Sequence, residues 1–186
     1  MKSLLKNHQA ISAVVATLII MIITVLLATV VTYLAINVVN TRVEQEDLSI
    51  TMQHIWYNSP AQTSEVGFYV VNTGGKDIAI QKIEIRGQTV TWNQVFYVRG
   101  PFQDFTGLSY LSTVADSAPT DISDGQGGFK DLISTTTALT LKSGDSMVVY
   151  VYNPSVIVVN DVGTTVSLNV FTSDACFYKE ANVQGS

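Results

Sequence analysis

The sequence predicts an α+β protein: a long N-terminal hydrophobic α-helix followed by an immunoglobulin-like antiparallel β-sandwich. Three observations predict it. Residues 11–39 run without a charge, a proline or a glycine. From Leu48 onward, apolar residues recur at every second position, the period of a half-buried strand. Clusters of Gly, Asn and Asp separate these runs, as turns separate the strands of a sandwich.

The helix comes first. Residues 1–10 (MKSLLKNHQA) carry Lys2 and Lys6. Residues 11–39 (ISAVVATLIIMIITVLLATVVTYLAINVV) would form a helix of roughly 44 Å at ~1.5 Å per residue. That exceeds the ~30 Å hydrocarbon core of a bilayer, so the surplus must tilt or protrude. More than half of the stretch is β-branched, which lowers helix propensity in water. In lipid that preference is overridden, because an unpaired backbone group there costs several kcal/mol. The polar members Thr17, Thr24, Thr29, Thr32 and Asn37 can return hydrogen bonds to their own helix or to a neighbour. A segment apolar on all sides must be buried on all sides. Lysines before it and Glu44, Glu46 and Asp47 after it predict a cytoplasmic N-terminus and a domain outside the membrane.

A cleaved secretory signal has an apolar core of ~7–15 residues followed by a small-x-small site. This core is about twice that length and lacks such a site at its end. Length alone leaves two readings, a permanent signal anchor and a helix retained after a cut in front of it.

Gln9-Ala10-Ile11-Ser12-Ala13-Val14-Val15-Ala16-Thr17-Leu18-Ile19 resembles the start of archaeal type IV pilins. In that family a short basic leader, a class III signal peptide, ends in a small residue, and the helix opens close to Ala-Ile-Ser-x-Val-Val-Ala-Thr-Leu-Ile. The resemblance is close over residues 9–19 and looser over the length and charge layout of residues 1–40. It implies that a membrane prepilin peptidase reads Gln9, Ala10 and Ile11 and cuts after Ala10, removing residues 1–10. It implies that residues 11–47 are the retained helix and its connector, a membrane span before assembly and a filament core afterwards. Ile11, Val15, Leu18, Ile22, Val25, Leu26, Thr29, Tyr33 and Ile36 would line that core, and residues 48–186 would be the extracellular domain. The function implied is that of a structural subunit of an archaeal type IV pilus, a homopolymeric adhesion filament. Its partners would be further copies of itself, the prepilin peptidase, an assembly ATPase and a membrane platform protein. An archaellum subunit and a single-pass anchored β-sandwich binding protein are the alternatives. The chain departs from the family pattern at Gln9, where a charge is common, and at Ala13, where Pro or Gly is usual. Val15 stands where bacterial pilins carry a glutamate, which places the likeness with the archaeal branch.

The connection 40–47 (NTRVEQED) is polar and can extend the helix by up to two turns. Strands are expected at Leu48–Met52 and Val66–Val71, with a turn at 72–77. Alternating Ile78, Ile80, Ile83 and Ile85 follow, then a turn at Gly87-Gln88 and a strand over Thr89–Val98. Residues 100–134, rich in Pro and Gly, read mostly as loop. Ala138–Leu141 and Met147–Tyr152 read as strands joined tightly at Lys142-Ser143-Gly144-Asp145, and Ser155–Asn160 with Thr165–Thr172 as a hairpin. A segment of ~140 residues suffices for a two-sheet core, with Trp56, Phe68, Trp92, Tyr150 and Phe171 expected to fill it. NTGGKDIAIQKIEI and LKSGDSMVVYVY are also similar to the β domains of archaeal pilins and archaellins.

A net charge of −5 without any basic run argues against nucleic acid as a structural partner. One cysteine, Cys176, allows no intrachain disulfide and reads as a small buried hydrophobe. With the leader removed, His54 is the sole histidine. It lacks a nucleophile-elbow motif and reads as a partly exposed strand residue. A zinc set and a phosphate loop are both missing from the sequence. Asp116, Asp121, Asp124 and Asp131 do not have EF-hand spacing and read as a solvated acidic loop. Phe102, Phe105 and Tyr110 are expected to be buried beneath the loop that carries them. No cofactor, metal or catalytic set is expected, and the chain is not expected to be an enzyme.

Overall fold

The structure, a computed structural model, describes residues 2–43, 45–102, 107–111, 121–123 and 129–186. It divides into two units, residues 1–43 and 44–186. The first is a single helix, α1 (Lys2–Val43). It takes in the basic leader as well as the apolar stretch and continues about one turn beyond Val39. Five threonines on it return their hydroxyl hydrogen bonds to the helix, Thr41 by donating to the Asn37 carbonyl at 2.9 Å. Thr17 Oγ1 donates to the Val14 carbonyl at 2.9 Å, Thr24 to Met21 at 2.8 Å, Thr29 to Val25 at 2.9 Å and Thr32 to Ala28 at 2.8 Å. Their polarity is thereby spent locally, and between Ser12 and Ile36 the helix is apolar in effect all round.

The second unit is a mostly antiparallel β domain. Its strands are β1 (Leu48–Asn58), β2 (Thr63–Asn72), β3 (Ile78–Ile80), β4 (Lys82–Ile85), β5 (Gln88–Thr89), β6 (Val95–Arg99), β7 (Asp121–Ser123), β8 (Phe129–Asp131), β9 (Ile133–Ser134), β10 (Leu139–Leu141), β11 (Ser146–Tyr152), β12 (Thr165–Phe171) and β13 (Cys176–Gly185). Nine of them form one sheet in the order β5-β4-β12-β13-β1-β2-β11-β6-β9, while β10 pairs with β3 and β7 with β8. Ile83 and Ile85 near one end of this sheet share a core with Phe68, Val70, Met147 and Val149 from the other half. The sheet therefore curls over on itself and encloses its core as a sandwich does. The hinge of the curl is narrow: β1 and β13 run parallel and pair only at Ile55–Tyr57 against Val183–Gly185.

Alternation explains which side chains enter. Leu48 and Ile50, Ile78 and Ile80, Ile83 and Ile85, and Val166, Leu168 and Val170 are all buried, with polar or half-exposed residues between them. Full burial of one such side chain is worth about 1.5–3 kcal/mol. β11 differs, since Ser146–Val151 is buried without a break. Met147, Val149 and Val151 face the main core, whereas Val148 and Tyr150 face a second cluster with Trp56, Val98 and Ile122. Phe102, Leu108, Tyr110 and Leu111 cover that second face. The β4–β5 turn has positive φ at both central residues, 51° at Arg86 and 77° at Gly87, the type I′ geometry that matches hairpin twist.

Several expectations are corrected. Ser155–Asn160 is not a strand. Pro154 has no N–H to give a ladder, and the Val158 N–H donates to Asp161 Oδ2 at 2.9 Å, so a turn and a short 3₁₀ helix (Val159–Asp161) form instead. β12 consequently pairs with β13 and β4 rather than with that segment. Thr89–Val98 is interrupted by a 3₁₀ turn at Trp92–Gln94. The run of isoleucines from Ile78 to Ile85 serves two ladders, breaking at Gln81, whose N–H donates to the Phe171 carbonyl at 2.8 Å. β10 and β11 are joined tightly but belong to different ladders. Cys176 is exposed, because the first half of β13 lies outside the core. Trp92 and Phe171 are only half-buried, whereas Trp56, Phe68 and Tyr150 are buried.

Candidate functional site

Gln9, Ala10 and Ile11 lie within α1, and their side chains fall outside the described residues. The other positions read as an assembly face are all on the helix and all exposed: Val15, Leu18, Ile22, Val25, Leu26, Thr29, Tyr33 and Ile36. Spaced three, four and seven apart, they fall within about 100° of the helix circumference, so they form one continuous stripe. A narrow strip of short side chains, Thr17, Thr24, Ala28 and Ala35, lies about 130° round the helix from the middle of that stripe, while the side directly opposite carries the large residues Ile20, Leu27, Val31 and Val38. Every large apolar side chain from Val14 to Val39 is exposed, between 48% at Val15 and 66% at Tyr33. Ser12–Thr41, a stretch of 30 residues, is long and apolar enough to cross a membrane.

Beyond the helix, the last residues of the connector are locked onto the β domain. The Glu46 side chain is only 4% exposed. Its Oε2 accepts from Thr172 Oγ1 at 2.5 Å and from the Asp174 N–H at 3.1 Å, and its Oε1 lies 3.4 Å from Lys76 Nζ. Lys76 in turn donates to Asp174 Oδ2 at 2.6 Å. That hydrogen bond, with the charges of Asp174 and Glu46 behind it, raises the Lys76 ammonium above its ordinary value. The connector backbone is held as well, since the Thr73 and Gly74 N–H groups both donate to the Asp47 carbonyl, at 3.0 and 3.1 Å.

Gly74 is required for this approach. A Cβ there would sit 2.6 Å from the Gln45 carbonyl oxygen and 2.7 Å from the Asp47 nitrogen. Buried Asn72 shapes the turn: its Nδ2 donates to the Lys76 and Leu141 carbonyls at 2.8 and 3.1 Å, and its Oδ1 accepts the Gly74 N–H at 3.0 Å. All of its amide groups are thereby engaged. The sequence flagged Asn72-Thr73-Gly74-Gly75 as a turn but not Glu46 as its neighbour. Glu46's partners at Thr172 and Asp174 lie 126 and 128 residues away, so no local pattern could reveal them.

A second clamp lies at the opposite end of the strands. Arg86 Nη1 donates to Asp161 Oδ1 at 2.7 Å. The Val158 N–H first, and then Arg86, hold the Asp161 carboxyl below the usual carboxylate range. His54 is half-buried on β1 and stacks on Trp56 with ring centroids 5.3 Å apart. Among the described residues no three His, Cys, Asp or Glu side chains gather as metal ligands. Asp131 is exposed, and its backbone pairs with that of Asp121 across β7 and β8. Asp116, Asp124 and Phe105 lie outside the described residues.

No known family model matches the sequence, and no curated protein matches it. Among solved structures, the chain is matched to the ligand binding region of Serine-glutamate repeat protein A (SgrA) of Enterococcus faecium. The match has 12% identity and covers 77% of this chain and 100% of that one, with a TM-score of 0.31. A likeness that faint bears neither on this topology nor on what this chain binds.

Proposed function

We propose that the chain is a pilin-like subunit of the archaeal type IV kind, polymerising through α1 into a cell-surface filament that carries the β domain outward for adhesion. The observation that carries the reading is the state of the helix. It presents a predominantly apolar surface over Ser12–Thr41, with every large side chain from Val14 to Val39 exposed, so it requires a partner that is itself apolar. Lipid is such a partner before assembly and equivalent helices afterwards. The surface of α1 also supports packing between copies. A stripe of large side chains on one helix suits the narrow strip of Thr17, Thr24, Ala28 and Ala35 on the next, and such a head-to-tail contact generates an open helical filament where its rotation does not close into a ring. The β domain, with its own closed core, needs no such partner.

The test is the mature N-terminus together with the assembly state. Surface material sheared from cells is imaged by electron microscopy, and its subunit is identified by intact mass. The expected result is filaments built of a chain that begins at Ile11. An exported chain still carrying Met1, or a soluble monomer lacking the helix, would overturn the proposal. The former result would leave a membrane-anchored binding domain as the reading.

A further inference from the structure

The outer face of β1, β2 and β11 carries a buried acid. Glu65 in β2 is 0% exposed. Its neighbours across the ladder are Trp56 of β1 and Tyr152 of β11. Gly67 is the next residue of β2 on that face, and atoms of Trp56, Tyr150 and Leu108 lie 3.1, 3.1 and 3.3 Å from where its Cβ would be. The segment 107–111 crosses above these residues and is held by three polar contacts. The Leu111 N–H donates to Glu65 Oε2 at 2.8 Å. The Tyr150 hydroxyl donates to the Ser109 carbonyl at 3.0 Å, and the Tyr110 and Thr63 hydroxyls meet at 3.4 Å. Glu65 Oε1 has no hydrogen-bond partner among the described residues.

We propose that residues 107–111 form a proton-controlled strap, closed over Trp56 and Tyr150 while Glu65 is protonated and released when Glu65 becomes a carboxylate. A carboxylate offers two oxygens with about four acceptor sites, and here a single N–H meets them. Buried without a counter-charge, it is far more costly than the neutral acid, which still accepts from Leu111. The titratable groups facing Glu65 are Tyr150 and Tyr152 from β11 and Tyr110 from the strap, with His54 of β1 on the far side of Trp56. None of the salt bridges of the described residues reaches it.

Among the described residues, Glu65 can reach water by moving β2 or by lifting residues 107–111. Moving β2 would break its ladders with both β1 and β11, whereas lifting residues 107–111 breaks three polar contacts and the packing of Leu108, Tyr110 and Leu111 on the second cluster. The strap is therefore the part that yields. Burial, opposed by the Leu111 hydrogen bond, pushes the Glu65 carboxyl up to about 7 from 4.5. A raised carboxyl favours closure fully below the open-state value, and that advantage is lost as pH rises through about 7. Over the whole shift the closed-to-open ratio falls roughly 300-fold.

The test uses the full chain in detergent micelles between about pH 5 and about pH 9. Protection of the Leu111 amide is followed by hydrogen exchange corrected for the intrinsic rate. Shielding of Trp56 from acrylamide is followed in a Trp92→Phe background. Both should fall as pH rises toward about 7 and level off above it, and Glu65→Gln, an uncharged acceptor of the same shape, should stay protected throughout. An unchanging wild type, or a Glu65→Gln chain with the same pH dependence, overturns the proposal. Should Glu65→Gln fail to fold, the infrared band of the protonated Glu65 carboxyl in the wild type decides. It must be lost by the pH at which Leu111 protection reaches its high-pH level, and a band that persists more than about one pH unit above that point overturns the proposal.

Discussion

Replacing Glu46 by alanine should loosen the connector from the β domain, and the loss can be worked from its partners. Glu46 Oε2 accepts from Thr172 Oγ1 at 2.5 Å and from the Asp174 N–H at 3.1 Å. Hydrogen bonds to a charged group contribute about 1.5–3 kcal/mol each. Two features reduce their sum. The Thr172 hydroxyl has a second acceptor, the Ala175 carbonyl at 3.1 Å, and Asp174 is exposed, so its N–H can turn to water. The expected destabilisation is therefore about 1.5–3 kcal/mol, roughly half the unreduced sum. Lys76, a third exposed and shared with Asp174, is screened by solvent and adds nothing to that figure. Urea unfolding of the full chain in micelles, followed by tryptophan fluorescence, measures the change at constant slope. Glu46→Gln keeps an acceptor and should lose less than Glu46→Ala. Because Thr172 and Glu46 share one interaction, the losses of Glu46→Ala and Thr172→Val should not add. A Glu46→Ala chain within about 0.5 kcal/mol of wild type, or two losses that simply add, would refute the assignment of the connector as clamped.

Phe68, 0% exposed in the main core, should cost about 3–5 kcal/mol when replaced by alanine, read as a fall in thermal midpoint; a change under about 1 kcal/mol would mean that the sheet does not close over it. Asp161 has a carboxyl held below its ordinary range, so it stabilises the fold above its unfolded value, and that stability is lost as pH falls through the depressed folded value. Asp161→Asn should thus lower stability at neutral pH and flatten the acid limb of the stability profile, and an unaltered acid limb would count against the pairing with the Val158 N–H and Arg86.

The sequence revealed most where one residue type dominates and least where partners are distant. Residues 11–39 could only be a helix once all charge and every Pro and Gly were absent, and α1 contains them all. Period-two alternation located β3 and β4, but it could not show that the ladder partner changes at Gln81. Alternation records which face is buried, not which strand lies alongside. β13 gave no signal of its own: among its residues only Val183 is buried, and its length comes from pairing with β12. Ser155–Asn160 misled for the opposite reason. Its valines look strand-like, yet Val158 and Val159 are exposed, at 48% and 52%, and Asp161 satisfies the local backbone. The side chains of the connector clamp and Glu65 are ordinary polar residues whose burial comes from segments far along the chain, which no window of sequence contains.

The two units solve burial in opposite ways, and this bears on the energetics of the proposed assembly. The β domain closes its own core and fixes its own entry strand through Glu46 and Asp47. The helix buries nothing by itself. Lipid tails are as apolar as the side chains of a neighbouring helix, so moving α1 from bilayer to filament gains little from the hydrophobic effect. What remains is packing, and here the narrow strip of Thr17, Thr24, Ala28 and Ala35 on α1 matters, since it sets how closely backbones can approach. Work is then needed to draw out a helix whose departure from lipid is close to neutral. If that work is done on either unit, it reaches the other through residues 44–47. A connector whose last residues are anchored by a buried carboxylate and two backbone hydrogen bonds transmits it without first unravelling β1, whereas a chain carrying Glu46→Ala would let the strand end give way. Filament yield in that variant should therefore fall further than its loss of domain stability accounts for.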